Sequence, residues 1–398
     1  MTLRRHAYRC LSIATIASAA CQESVSPPPT ANVTSSADWS QYKAISAQHA
    51  VPDKAVIDSE LEATGQSTMI RAAYTDADFK IDATMTDAWF ASPAAAAMSG
   101  AILSYQTPTG GWSKHIDYTA GPRKPGQSFF GEDSSWSYIA TIDNNATTTE
   151  IQFLARANQA VSSARYRSAV TKGLEYLLLA QQPTGCWPQV YPLMGGYHDA
   201  VTYNDDAIVH VVSLLRDVGK GGMYGFVSSG LASRAAAALA RGIDCIVTSQ
   251  IIVSGTKTAW GQQHDPVTLA PVIGRSYELP GISGQESAGI VNCLMTLASP
   301  DARVVAAVHA AADWLKLTAI SGYVYDANGF RAQAGAGPLW ARIAEIGTNR
   351  PIFANRDGVK LYDFDQLTDR RTGYSWFGTS PATTLKTYAT WALSHPRP

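Results

Sequence analysis

A tryptophan-centred turn occurs three times in this chain: Thr109-Gly110-Gly111-Trp112-Ser113-Lys114, Thr184-Gly185-Cys186-Trp187-Pro188-Gln189 and Thr258-Ala259-Trp260-Gly261-Gln262. Each follows an apolar stretch of helical character, and the tryptophans stand 75 and 73 residues apart. Self-similarity at that period marks a large repeated helical unit whose copies bury one another's apolar faces. A polar element trails each turn: Asp143-Asn144-Asn145-Ala146, then Asn204-Asp205-Asp206-Ala207, then Gln285-Glu286-Ser287-Ala288. Three units with polar residues at the same point predict one ring with a polar centre.

Apolar residues recur at three- and four-residue spacing over Ala91 to Tyr105, Thr147 to Ala160, Tyr166 to Gln181, Asp206 to Val218, Leu231 to Ser249, Ala288 to Leu297 and Arg303 to Leu317. These are expected helices, and strand-like alternation is scarce. Gly and Pro gather between them, as in Thr107-Pro108-Thr109-Gly110 and Gln182-Pro183-Thr184-Gly185, which is turn chemistry. The 398 residues are 46% apolar, enough for a sizeable core. With 31 basic and 32 acidic residues the formal net charge is -1, so no global field draws nucleic acid. A polyanion would have to be gripped locally.

The N-terminus has the character of an export signal over residues 1–21: Arg4, Arg5 and Arg9 precede a short apolar run from Leu11 to Ala20 that ends in small residues. Cys21 follows Ser18-Ala19-Ala20 and resembles the lipidated cysteine of a bacterial lipoprotein, with simple cleavage as the alternative. Residues 22–40, with Pro27-Pro28-Pro29 among Ser and Thr, read as a tether, and residues 41–84 as an N-terminal extension of the core. The product is expected to be exported, either secreted, periplasmic or lipid-anchored at a bacterial surface. Three cysteines remain, Cys186, Cys245 and Cys293; the spacing fits buried thiols and leaves one bridge open.

Asp, Asn and Ser are preferred helix N-caps, which explains any one of the polar clusters. A cap needs one such residue, however, and Asp143-Asn144-Asn145 and Asn204-Asp205-Asp206 each offer three. In an α/α ring the surplus oxygens converge, and converging carboxylate and amide oxygens suit a hard cation such as calcium. His115, His198 and His264 each follow a turn, but no HExxH pattern accompanies them, so core packing or substrate hydrogen bonding is favoured over zinc. Lys114, Arg275, Arg350 and Arg356 are the cations placed in turns or Pro/Gly/Asn-rich loops, suited to gripping carboxylates. The tryptophans and Tyr191, Tyr197, Tyr203 and Tyr277 fit either core packing or a sugar groove.

Four segments together carry a resemblance: Thr141-Ile142-Asp143-Asn144-Asn145-Ala146-Thr147; Gly195 through Asp206; Trp260-Gly261-Gln262-Gln263-His264-Asp265-Pro266; and Gly274-Arg275-Ser276-Tyr277-Glu278-Leu279-Pro280. In this order they resemble the pectate lyases of polysaccharide lyase family 10, from about residue 85 to the C-terminus at 398. The resemblance implies an all-α (α/α)3 toroid and calcium-assisted eliminative cleavage of polygalacturonate by a monomer. It implies calcium at Asp143 and Asp205, Arg275 as the base with Asp143 beside it in the catalytic site, and substrate contacts from Asn144, Lys114, Arg350 and Arg356. Ser113 stands where the family pattern more often has Pro, and Met194 where it has a basic residue.

Those residue types suit the chemistry. The C5 proton of a galacturonosyl unit is alpha to the C6 carboxylate, and its loss expels the C4 oxygen without water. Cations around the carboxylate offset the charge that opposes proton removal. An arginine base needs its pKa lowered far below its usual value, and desolvation with neighbouring cations is the expected cause. The alternatives are a glycoside hydrolase using paired carboxylates such as Asp143 with Asp205 or Glu286, and a surface lipoprotein that binds pectin without cleaving it.

Overall fold

The computed structural model describes residues 35–132 and 139–398. The expected export signal, Cys21 and the Pro27-Pro28-Pro29 tract lie outside the described residues. Residues 36–40, expected to finish the tether, instead open a helix, α1 (Ser36–Thr64), because Ser35 and Asp38 form a reciprocal capping box. This helix buttresses the turns: the Tyr42 hydroxyl donates to the Ala180 carbonyl at 2.8 Å, and the Thr109 N–H donates to Asp53 at 2.7 Å.

After the short α2 (Asp87–Phe90) and α3 (Pro93–Ser104), three helix pairs follow: α4 (Thr148–Ala160) with α5 (Ala164–Ala180), α6 (Ala207–Gly219) with α7 (Ser229–Thr248), and α8 (Gly284–Met295) with α9 (Ala302–Leu317). α4, α6 and α8 contact one another in sequence, and so do α5, α7 and α9, giving two layers. That is the (α/α)3 toroid, flanked by α3 on one side and α10 (Ser380–Trp391) on the other. The seven expected helices are present with shifted ends; α1, α2 and α10 lie outside them. The helices are held by burial: in α6 the stripe Ile208, Val211, Val212, Leu214, Leu215 and Val218 is buried, each contributing about 1.5–3 kcal/mol. The described strands form five two-stranded sheets.

The turn tryptophans are structural. Trp112, Trp187 and Trp260 are fully buried, and each indole Nε1–H donates at 2.7 Å to a carbonyl near the end of the preceding helix, Ile102, Leu177 and Ile246. A groove-lining role for them is therefore corrected. One glutamine clasps each turn to the following outer helix: Gln106 Nε2 donates to the Gly110 and Ala169 carbonyls, Gln181 to Gly185 and Ala238, and Gln250 to Thr258 and Ala307. Gly110 has φ 114°, and a Cβ there would meet the Lys172 carbonyl at 2.6 Å; Gly185 has φ 92° against the Arg241 carbonyl. The helix passes too close for any side chain at either position.

A fourth unit completes the set. Trp340 repeats the bond, its Nε1–H donating to the Leu315 carbonyl at 2.7 Å. Each polar element then pairs with the turn of the next unit, through Thr141 with Val190, Val201 with His264 and Ile282 with Ala344. Cys186 and Cys245 form a disulfide that ties the second turn to α7, so only Cys293 is the expected buried thiol. A second apolar cluster, around Phe353, Phe364, Trp376 and Phe377, packs beneath the C-terminal loops.

Candidate active site

The residue two positions after each tryptophan reaches a cavity on one face of the ring. Lys114, Gln189 and Gln262 line a central lobe of about 260 Å³, and Arg342 lines the lobe beside it. Three adjoining lobes share Arg275. The turns thus deliver a cation at each end of the series and an amide at each middle position.

The polar elements supply the acids. Asp143–Asn145 and Asn204–Asp206 each form a single 3-10 turn, with Asn144 at φ 50° and Asp205 at φ 52°. Asn and Asp tolerate this left-handed region better than other side chains, which explains their use here. None of these residues supplies a side-chain cap to α4 or α6, so helix capping does not account for them. The third unit differs, because Glu286 lies inside the first turn of α8. It is buried and ion-paired with Arg342 at 2.9 Å.

Asp143 is buried; its Oδ2 takes a hydrogen bond from Lys114 Nζ at 2.8 Å, while its Oδ1 has no partner among the described residues. Lys114 also reaches Asn144 Oδ1 at 3.3 Å. Burial alone would lower the lysine's pKa, yet the attraction of Asp143 and then Glu132 raises it overall, so the ammonium stays charged. Asp205 shares the central lobe with Asp143 and lies 3.4 Å from Arg342. Burial pushes the Asp205 carboxyl up; Arg342 opposes this while Asp143 and Glu286 add to it. Burial, then Glu286 and Asp205, push Asp206 up to about 7.

Arg275 occupies the junction of the lobes. Its Nε donates to Glu278 Oε2 at 2.9 Å and its second amino group to Oε1 at 2.5 Å. Burial favours the neutral form, but the hydrogen bonds and charge of Glu278 outweigh it and hold the guanidinium above its ordinary value. The expected downward shift is therefore corrected for this geometry: the dominant neighbour is an anion.

Lys114, Asp143, Asn144, Asp205 and Arg275 come together as expected. Arg350 and Arg356 line none of the three lobes: Arg350 stacks 4.1 Å over Tyr362, and the Arg356 N–H donates to Asp369. Their loop turns aside because Phe353–Ala354 pairs with Lys360–Leu361 and buries Phe353. Arg342, from the fourth turn, lines the cavity instead. Its signal was present in the sequence, two residues beyond Trp340 as Lys114 is beyond Trp112.

The histidines do not cluster: His115 lines the central lobe, His198 the adjoining one, and His264 neither. His264 is fully buried and pushed down to about 4 by burial, its Nε2 accepting the Gly261 N–H at 3.0 Å. His115 pairs with Asp78, and His198 stacks on Tyr197 at the edge of the cavity. Among the described residues no three His, Cys, Asp or Glu side chains form a metal-holding group. What the cavity offers is hard oxygen: the unpartnered Asp143 Oδ1, the Asn144 amide and the Asp205 carboxylate. Such donors fit calcium, which takes 6–8 oxygens and would need substrate or water to complete its shell.

A family model described as pectic acid lyase matches residues 106–385. The structure of a family 10 polysaccharide lyase from Cellvibrio cellulosa is similar at 32% identity with a TM-score of 0.68, covering 78% of this chain and 95% of that one. A mutant of the Cellvibrio cellulosa lyase in complex with trigalacturonic acid is similar at 33% identity and TM-score 0.68, covering 78% of this chain and 96% of that one. No curated protein matches the sequence.

Proposed function

The chain belongs to the pectic acid lyase family, and from that premise we propose how its central cavity cleaves pectate. It is a polysaccharide lyase acting on polygalacturonate by β-elimination, and the assignments of individual residues and of calcium below are our reading. The observation that carries the reading is the concentration of unlike charges in one cavity: Asp143 and Asp205 together with Lys114, Arg275 and Arg342. A pure binder of a polyanion has no use for carboxylates in its groove, whereas an elimination needs both a bound carboxylate and a way to neutralise it.

Lys114 and Arg342 flank the two aspartates and would offset the charge of a uronate lying between them. Calcium, held by Asp143, Asp205 and Asn144, would supply Lewis-acid neutralisation of that carboxylate. The elimination itself breaks the C5–H bond, forms the C4–C5 double bond and releases the C4 oxygen with its electron pair. Arg275 is the base we assign, from its place at the junction of the lobes. It must be neutral to accept the C5 proton, and Glu278 opposes that; the assignment requires substrate to part the pair. Glu286 is committed to Arg342 and to the Ser283 hydroxyl, which leaves it unsuited to the acid role of a hydrolase.

The Cys186–Cys245 disulfide supports export, since such bonds persist in oxidising compartments. Turnover should fall by about 10²–10⁴ in both Arg275→Ala and Arg275→Lys, with oligogalacturonate affinity largely kept. Steady-state rates and calorimetric binding measure the two effects separately; full turnover in either variant removes Arg275 from the base role.

A further inference from the structure

We propose that the lobe floored by Phe130, Ile139, Val190 and Met194 is a subsite for a methyl-esterified galacturonosyl unit, a neutral sugar rather than a uronate anion. The inference rests on the pectate lyase reading and concerns which polymer the groove accepts beyond the point of cleavage. Phe130, Ile139 and Val190 form a small apolar cluster of their own, with Met194 packed against it. The lobe they line measures about 460 Å³, within the size range of small-molecule and sugar sites.

Among the described residues a bare carboxylate meets no cation there that is not shared with the central lobe. The cations of the lobe, Lys114 and Arg275, also line the central lobe, so they lie on the shared border. The proposed function commits both to the point of cleavage, Lys114 to the charge of the uronate there and Arg275 to its C5 proton, so neither is left for a second carboxylate. Glu132 also lines the lobe, 3.6 Å from Lys114, and its negative charge would repel a uronate. His198 adds no countercharge, because burial lowers its pKa and favours the neutral ring. Removing a carboxylate from water against an apolar floor without a counterion is unfavourable, whereas an ester methyl gains by burial there. The lobe that shares only Arg275 with it is more basic: Arg342 and Arg371 line it along with Asp205 and Asp326.

The test follows unsaturated product from polygalacturonate and from the same polymer partly methyl-esterified. The wild type should reach a kcat/KM on the esterified polymer at least equal to that on polygalacturonate. Met194→Lys, at a half-buried position that a flexible side chain can occupy, should shift the ratio about tenfold toward polygalacturonate. Glu132→Gln should move it the same way by less. A ratio unchanged in Met194→Lys, or a wild type whose kcat/KM falls with esterification, overturns the inference. No unsaturated product from either polymer would overturn the lyase reading itself.

Discussion

The turn tryptophans and the residues two places after them lie almost side by side, yet one set is uniform and the other diverged. Trp112, Trp187, Trp260 and Trp340 all make the same 2.7 Å bond to a carbonyl of the preceding segment. Lys114, Gln189, Gln262 and Arg342 share a position but neither charge nor partners. Packing demands the same shape from every unit, because an indole fits only one way between two helices and a buried carbonyl needs its donor. A site for an asymmetric sugar chain makes no such demand. The ring is a symmetric scaffold, and its chemistry arises where symmetry is broken.

That contrast can be sharpened by substitution. The largest effect expected is at Lys114: Lys114→Ala leaves the buried Asp143 unpaired and should cost about 2–5 kcal/mol in kcat/KM. Gln189→Ala, at the same position of the next unit, should cost only about 0.5–1.5 kcal/mol. Equal losses in steady-state assays would mean that the two positions have not diverged in role. Trp260→Phe keeps the bulk but removes the indole donor and leaves the Ile246 carbonyl only the Ser249 hydroxyl at 3.1 Å, so about 0.5–1.5 kcal/mol of stability should be lost. Its thermal midpoint should drop while kcat at low temperature holds; a loss of kcat in fully folded protein would place this tryptophan in the site.

A further effect depends on pH and lies in the scaffold alone. Glu150 is buried beneath the first polar element, where the Tyr118 hydroxyl donates to it at 3.0 Å, and burial pushes its carboxyl from 4.5 up to about 7. The folded protein then holds a proton that the unfolded chain has released. Its contribution is fully present below the unfolded pKa and is lost as pH rises through the folded one. Glu150→Gln should therefore match the wild type in thermal midpoint at about pH 4 and exceed it at about pH 8. Identical pH profiles for the two proteins would contradict this.

Much of the ring was legible because packing writes itself into sequence as periodicity. The tryptophan spacing gave the unit, the helical stretches gave its walls, and Asp143 and Asp205 stood out as more than caps. The fourth unit was missed because the long C-terminal loops between α9 and Trp340 stretch its spacing to 80 residues. With it went Arg342, while Arg350 and Arg356 share the loop chemistry of cavity cations but line none of the lobes. The state of Arg275 was not legible for a different reason. Glu278 is three residues away in sequence, but whether a carboxylate at that distance clasps a guanidinium depends on the turn between them. The disulfide likewise needed Cα atoms 5.6 Å apart, which spacing alone cannot supply.

The most direct test of the account is the appearance of ultraviolet-absorbing unsaturated ends when chelator-treated protein meets polygalacturonate, before and after calcium is restored, in the wild type and in Asp143→Ala. The account predicts no product without calcium, full recovery in the wild type when calcium is added, and none in the variant. Saturated reducing ends in place of unsaturated ones, or full activity in Asp143→Ala, would contradict it.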